Sequence, residues 1–182
     1  MRVISGTLKG RIITVPGYFN LRPTTDLAKE SLFNILNNLI DFESTTALDL
    51  FAGTGSISYE LASRGCTMVT SIEKNYNHYK FILDTALALG VKDIIKPIKN
   101  DVFEFIKTSK QTYDLIFCDP PYDLKELETL PNLILKKGLL AADGLLIIEH
   151  PKSISFSSNP FFYQHKHYGS VNFSMFQTTT PE

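Results

Sequence analysis

Residues 113–122, Tyr-Asp-Leu-Ile-Phe-Cys-Asp-Pro-Pro-Tyr, run an apolar stretch into a polar tip made of Asp119, Pro120, Pro121 and Tyr122. Each residue type at that tip has a use if its target is a planar exocyclic amine. The lone pair of such a nitrogen is delocalised into the ring, so it attacks an electrophile poorly. The Asp119 carboxylate can accept one of its N–H bonds and the Pro120 carbonyl the other, which draws the nitrogen toward tetrahedral geometry and frees the lone pair. The two prolines fix the backbone that carries these acceptors, because each ring locks its own φ and restricts the residue before it. The Tyr122 ring can stack on the base, for about 1–3 kcal/mol. Turn chemistry alone also favours Asp and Pro where a strand ends. The tip therefore gains chemical meaning only from the rest of the chain.

A second stretch, Asp-Leu-Phe-Ala-Gly-Thr-Gly-Ser at 49–56, supplies a turn whose glycines, Gly53 and Gly55, let a ligand approach the backbone closely. The third small position of the pattern is Ser58, and no lysine follows, which excludes a P-loop. Glu73 ends the next apolar run, where an acid can accept both hydroxyl protons of a ribose diol. Asp101 follows the third run; its carboxylate can take the amino group of an adenine, or cap the helix that begins at Val102. Asp49 lies near a strand end, and a buried carboxylate there needs partners. Three acids at successive strand ends suggest an adenosyl ligand. A dinucleotide would use the same turn and Glu73 but needs its pyrophosphate near the helix N-terminus. S-adenosylmethionine carries no phosphate and presents a sulfonium methyl to a nucleophile. The Asp119 tip separates the two, since hydride transfer has no use for two acceptors aimed at an amine.

These residues need elements to hold them. From Thr46 onward, short apolar runs at 47–50, 68–72, 94–98, 115–118 and 145–148 alternate with helical patterns at 56–64, 75–89, 102–107 and 124–137. That rhythm predicts βαβ units, a largely parallel sheet and helices on both faces. Pro97 assigns the third run to a sheet edge. Residues 161–167 and 171–176 flank Tyr168-Gly169-Ser170 and predict two further strands around a tight turn, which adds an antiparallel strand. If the first and fourth strands are neighbours where the strand order reverses, Gly53 and Asp119 share one crevice. Ahead of this region, runs at 2–5 and 11–15 predict a β-hairpin, and Tyr18 to Pro23 a linker. Thr24, Thr25 and Asp26 are cap material for a helix marked by Ala28, Leu32, Ile35, Leu36, Leu39 and Ile40. The expected division is an appendage at 1–23 and a catalytic domain at 24–182.

Composition sets the outer bounds. A chain of 182 residues with 43% hydrophobic and 20% charged side chains can build one substantial core and is not disordered. No apolar stretch approaches membrane-spanning length and residues 1–6 lack a signal-peptide pattern, so the expectation is a cytoplasmic protein. Cys66 and Cys118 lack CxxC spacing and are expected buried and reduced. His165 and His167 stand two residues apart with no third ligand, so no metal is expected. His150 either lines the crevice or makes a local hydrogen bond. A net charge of −1 argues against a protein that coats nucleic acid, yet residues 1–25 hold Arg2, Lys9, Arg11 and Arg22 and no acid. Those cations offer a local surface to phosphates, or are simply solvated.

With 49–55, Glu73, Asp101 and 119–122 in view, the chain resembles class I S-adenosylmethionine methyltransferases that act on amines. Met-Arg-Val-Ile-Ser-Gly-Thr-Leu-Lys-Gly-Arg at 1–11, Leu-Arg-Pro-Thr-Thr-Asp at 21–26 and Glu-Ser-Leu-Phe-Asn at 30–34 narrow the resemblance to the RsmD family. Members are bacterial enzymes that methylate the N2 amine of one guanine in 16S ribosomal RNA. The similarity covers nearly the whole chain, including Ile148-Glu149-His150 and Tyr168-Gly169. It implies a Rossmann-like class I methyltransferase fold with a seven-stranded, mostly parallel sheet. It further implies S-adenosylmethionine, with S-adenosylhomocysteine as product, held by Asp49, Phe51, Gly53, Gly55, Glu73 and Asp101. A flipped guanine would be held by Asp119, Pro120 and Tyr122, and RNA touched by Arg2, Lys9, Arg11 and Arg22. The expected partner is 16S rRNA within the 30S subunit, met by a monomer. Ser5 departs from the family pattern, which usually shows a second glycine before Gly6. The overall acidity also departs from it, and fits a substrate presented on an assembled particle. Alternatives are amino-methylation of DNA adenine or of protein glutamine, a nicotinamide oxidoreductase, and a non-catalytic RNA-binding module.

Overall fold

The computed structural model describes residues 1–19 and 26–178. Seven strands form one sheet: β1 (Thr46–Leu50), β2 (Met68–Glu73), β3 (Ile95–Lys99), β4 (Tyr113–Cys118), β5 (Leu140–His150), β6 (Phe162–Tyr168) and β7 (Val171–Phe176). Their spatial order is β3-β2-β1-β4-β5-β7-β6. Strands β1 to β5 pair in parallel, and β7 runs antiparallel to both of its neighbours. The apolar runs are continuous instead of alternating because helices cover the sheet on both sides. On one face α1 (Asp26–Leu36), α2 (Ser56–Ser63) and α3 (Tyr76–Ala88) bury Leu32, Phe33, Leu61 and Ile82 against Phe117 and Ile147. On the other, α4 (Val102–Thr108) and α5 (Leu130–Lys137) bury Phe105, Leu130 and Ile134 against Leu48, Ile116 and Ile148. Strand β3 lies at an edge, where the missing N–H of Pro97 costs no ladder bond.

Element boundaries depart from the sequence pattern where local chemistry intervenes. The helix expected at 124–137 starts only at Leu130, because Pro131 suits a first helical turn; a 3-10 turn at Leu127–Thr129 precedes it. The run at 145–148 lies within the buried part of a longer β5, whose pairing with β4 shifts register between Tyr113 and Leu115, close to Asp143 at φ 60°. Helix α1 stops at Leu36, short of the Leu39 and Ile40 that its pattern included.

The N-terminal segment forms a narrow antiparallel pair with a single bridge, Arg2 to Ile12. Val3 N–H donates to the Arg11 carbonyl at 3.0 Å and Ile13 N–H to the Met1 carbonyl at 2.9 Å. This segment is packed onto α2. Val3 and Ile13 belong to the main core. Ile4 and Ser5 N–H donate to the Glu60 carboxylate at 2.8 and 3.0 Å, and Leu8 N–H donates to Ser63 Oγ at 2.9 Å. Gly6 crosses α2 at φ +81°, so close that an added Cβ would sit 1.8 Å from the Ser63 carbonyl oxygen. Buried Glu60 also receives Arg64 Nε at 2.9 Å and lies 3.8 Å from buried Lys29. Burial pushes the Lys29 amine below its ordinary range, with the Glu60 charge opposing. The expected division at residue 23, the linker from residue 20 on, the caps Thr24 and Thr25, and Arg22 fall outside the described residues.

Candidate active site

The strand order reverses between β1 and β4, and the carboxyl ends of β1, β2, β3 and β4 therefore mark the crevice where an open α/β sheet takes its ligand. After Leu50 the chain turns through Phe51 at φ 60°, a conformation that L side chains adopt only when the surroundings over-determine it. Ala52 N–H donates to the Ile72 carbonyl at 3.0 Å and Gly55 N–H to the Ala52 carbonyl at 2.7 Å, closing the loop. Gly55, at φ 79°, begins α2; a Cβ there would press at 3.1 Å on Tyr59 and Ile82.

Glu73 closes this side. Gly53 N–H donates to its Oε2 at 2.9 Å and Asn75 N–H to its Oε1 at 2.7 Å. The backbone thus aims the carboxylate from two directions and leaves it further acceptor positions, so Glu73 fits a diol. Asp49 lies beneath the loop, 2% exposed. Ser58 Oγ donates to its Oδ2 at 2.5 Å and stands 2.7 Å from Ser71 Oγ. Burial pushes the Asp49 carboxyl up to about 7, with the Ser58 bonds opposing. A cation brought beside it would restore the carboxylate. Asp101 does what the capping alternative expected: its Oδ1 accepts Phe103 N–H at 2.9 Å at the start of α4. Its Oδ2 accepts Lys74 Nζ at 3.0 Å, and that lysine is the chief reason its carboxyl lies below the usual range. The Phe51 and Phe103 rings meet edge to face at 6.4 Å.

Strand β4 brings the second group of residues. Asp49 pairs with Phe117 and Leu50 with Cys118, and Asp119 N–H donates to the Leu50 carbonyl at 3.3 Å. The tip therefore stands beside the glycine loop. Asp119 and Tyr122 are half-buried, Pro120 is buried, and the Tyr122 hydroxyl donates to Glu149 Oε1 at 3.0 Å. Burial, and then the charges of Asp119 and Asp49, push the Cys118 thiol well up. Both cysteines are buried free thiols, as expected.

The N-terminus borders the same loop. Thr54 Oγ1 donates to Met1 Sδ at 3.7 Å, and Lys29 Nζ donates both to the Arg2 carbonyl at 2.7 Å and to Ser56 Oγ at 3.2 Å. Lys9 and Arg11 are exposed, and Arg2 lies 3.8 Å from Asp26. His150 turns away from the crevice, with Nδ1 3.0 Å from the Pro151 carbonyl and Nε2 2.9 Å from Ser174 Oγ, so its local-bond alternative is the one realised. Sequence reasoning missed Ser71 and Glu149 as partners of site residues. It also missed Lys29 and Glu60, which a helical pattern of apolar positions does not flag.

This strand order, with an antiparallel seventh strand, a glycine turn after β1 and an acid ending β2, defines a Rossmann-like class I methyltransferase fold. The chain belongs to the RsmD family: the family model described as "Conserved hypothetical protein 95" matches residues 1–177. It is 31% identical over 157 residues to "Putative rRNA methyltransferase YlbH" of Bacillus subtilis, covering 85% of this chain and 84% of that one. Ribosomal RNA small subunit methyltransferase D of Escherichia coli is 31% identical over 149 residues, covering 82% and 74%. Among solved structures, "Putative methyltransferase yhhF" from Escherichia coli superposes with a TM-score of 0.84 at 29% identity, covering 97% of both chains.

Proposed function

We propose that the protein transfers a methyl group from S-adenosylmethionine to the exocyclic N2 amine of a guanine in small-subunit ribosomal RNA, on an assembled or assembling 30S particle. The observation that carries this reading is the β1–β4 register, which sets the Asp119-Pro120 acceptors beside the glycine loop. The names of the relatives support the ribosomal RNA, and the Asp119 tip the amine.

In this reading Glu73 accepts the ribose hydroxyls, Phe51, Gly53 and Gly55 line the loop, Asp49 receives a cationic group, and Asp101 faces the adenine. When bound, S-adenosylmethionine supplies an electrophilic methyl and leaves as S-adenosylhomocysteine. Asp119 accepts one N2 hydrogen and the Pro120 carbonyl the other, so the nitrogen lone pair is turned toward the loop. Tyr122 stacks on a guanine that has left its helix at a cost of a few kcal/mol. The nitrogen gains the methyl and becomes cationic; its surplus proton is then lost readily, with Asp119 in reach to take it. Lys9 and Arg11, exposed on the N-terminal segment, meet phosphates. A cytoplasmic monomer completes the reading.

The test is transfer of tritiated methyl to 30S particles from cells lacking the modification, followed by nucleoside analysis. N2-methylguanosine is the expected product. Label in N6-methyladenosine or in protein glutamine, or no transfer at all, overturns the proposal. Titration with S-adenosylhomocysteine against NAD separates it from an oxidoreductase.

A further inference from the structure

Glu149 is buried to 5% exposure at the end of β5, a strand position that Ile147 and Ile148 show to be suited to apolar side chains. A carboxylate there costs free energy unless something bonds it. Its neighbours show what that is. Cys118 pairs with Ile148, so the next residues, Asp119 and Glu149, stand side by side at adjacent strand ends. Ile147 packs on the α1–α3 face and Ile148 on the other, so alternation returns Glu149 to the face that carries Asp49 and Phe117. The Tyr122 hydroxyl reaches it at 3.0 Å.

The Tyr122 ring is thus anchored at two ends. Pro120 and Pro121 set the backbone from which it springs, and the Glu149 carboxylate holds its far oxygen. The freedom left is rotation about the line joining those anchors, and the ring cannot swing out of the crevice. We infer that Glu149 is a positioning residue, which holds Tyr122 as a fixed wall against which the target base is captured. This inference rests on the function proposed above. His150, one residue on, takes no part, because its ring is bonded to Ser174 and Pro151 on the opposite face.

The experiment is steady-state methylation of 30S particles by wild type, Glu149→Ala, Glu149→Gln, Tyr122→Phe and the Glu149→Ala/Tyr122→Phe double variant, with S-adenosylhomocysteine affinity measured for each. Loss of a charge-assisted bond is expected to raise KM for the particle about tenfold in Glu149→Ala, with kcat changed less than about threefold. Glu149→Gln keeps an acceptor oxygen and should stay within about threefold of wild type. Tyr122→Phe should match Glu149→Ala, and the double variant should be no worse than either, because both remove one bond. Losses that multiply in the double variant, or a Glu149→Gln variant as impaired as Glu149→Ala, overturn the inference. So does a fall in S-adenosylhomocysteine affinity as large as the rise in KM, which would mark Glu149 as merely structural. A wild type that leaves the particles unmethylated sinks the proposed function itself, a different result from a working enzyme with additive variants.

Discussion

On the β1–β2 side of the crevice the chain already bonds its own acids: Glu73 by two backbone N–H groups, Asp49 by Ser58, all beneath a loop closed by hydrogen bonds. On the β4 side, Asp119 and Tyr122 stand half-buried on a tip that prolines hold in place. The first side is bonded up by folding, so substitutions there should strike stability and, in the function proposed above, cofactor binding together. The second meets the target base in the function proposed above, so substitutions there should strike turnover and leave the fold intact. Asp119→Ala is the largest expected separation of the two. Methyl transfer should fall by about 100-fold to 1,000-fold, the range for removing one preorganised electrostatic partner, while S-adenosylhomocysteine affinity stays within about threefold. Calorimetric titration beside the tritium assay checks it. An affinity that falls in step with the rate would mean that the two sides are one unit.

The loop side has a further support in the N-terminal segment, and Gly6 tests it. An alanine at φ +81°, with its Cβ 1.8 Å from the Ser63 carbonyl oxygen, cannot keep the backbone where it is. The bonds from Ile4 and Ser5 to Glu60 must stretch or break, leaving a buried carboxylate short of donors. Gly6→Ala should cost about 3 kcal/mol, by the magnitude of strained positive-φ sites and broken buried networks. Amide exchange should show Ile4 and Ser5 losing protection first. Unchanged melting and exchange would return the segment to the status of a loose appendage.

Much of this architecture could be read from residue types, and the exceptions have physical causes. Near-continuous apolar runs located β1, β2 and β4 because parallel strands covered on both faces are mostly apolar, and Pro97 fixed an edge because it lacks a donor. That β4 stops at Asp119-Pro120-Pro121 was legible because turn chemistry favours Asp and Pro where an apolar run ends. Asp101 was not decided, since capping and adenine recognition ask for the same carboxylate. The Glu60–Lys29 pair escaped because long-range contacts of buried charges leave no periodic trace. The Tyr122 to Glu149 bond spans 27 residues and depends on β4–β5 register, which no local pattern encodes.

Asp49 offers a pH test of how far the loop side is prepared before any ligand arrives. Its carboxyl ordinarily titrates near 3.8 and is pushed up to about 7 by burial. The folded protein therefore keeps a proton that the unfolded chain releases, so stability is highest below about pH 4 and declines as pH rises through 7. Asp49→Asn should remove that slope, melting like wild type near pH 4 and above it at pH 8, by up to about 4 kcal/mol. If the ionised group receives a cation of the cofactor, wild-type S-adenosylhomocysteine affinity climbs from pH 6 to pH 8, and the variant loses both the climb and affinity. A flat wild-type titration would remove Asp49 from the binding set and leave it a buried acid satisfied by serines.

Lys74 probes Asp101, which the chain holds with a backbone N–H on one oxygen and an exposed lysine on the other. Its side chain is 78% exposed, and pairs of this kind contribute about 0–1 kcal/mol. The Asp101 cap on α4 uses Oδ1, whereas Lys74 occupies Oδ2, so Lys74→Ala leaves the helix start intact. Melting at pH 7 should move by less than about 0.5 kcal/mol. The lysine holds the Asp101 carboxyl low, and such a group stabilises the fold above its unfolded pKa and loses that contribution as pH falls through the folded one. The loss in Lys74→Ala is therefore confined to neutral and mildly acid solution and vanishes in strong acid. Binding discriminates more sharply than melting. If Oδ2 is the acceptor for an adenine amine, the lysine competes for it, and Lys74→Ala should bind S-adenosylhomocysteine up to about threefold more tightly, near the lower end of a single hydrogen bond's net worth. Weaker binding would mean that Lys74 itself touches the ligand and that Asp101 serves α4 alone, leaving Glu73 as the acid that reads the nucleoside.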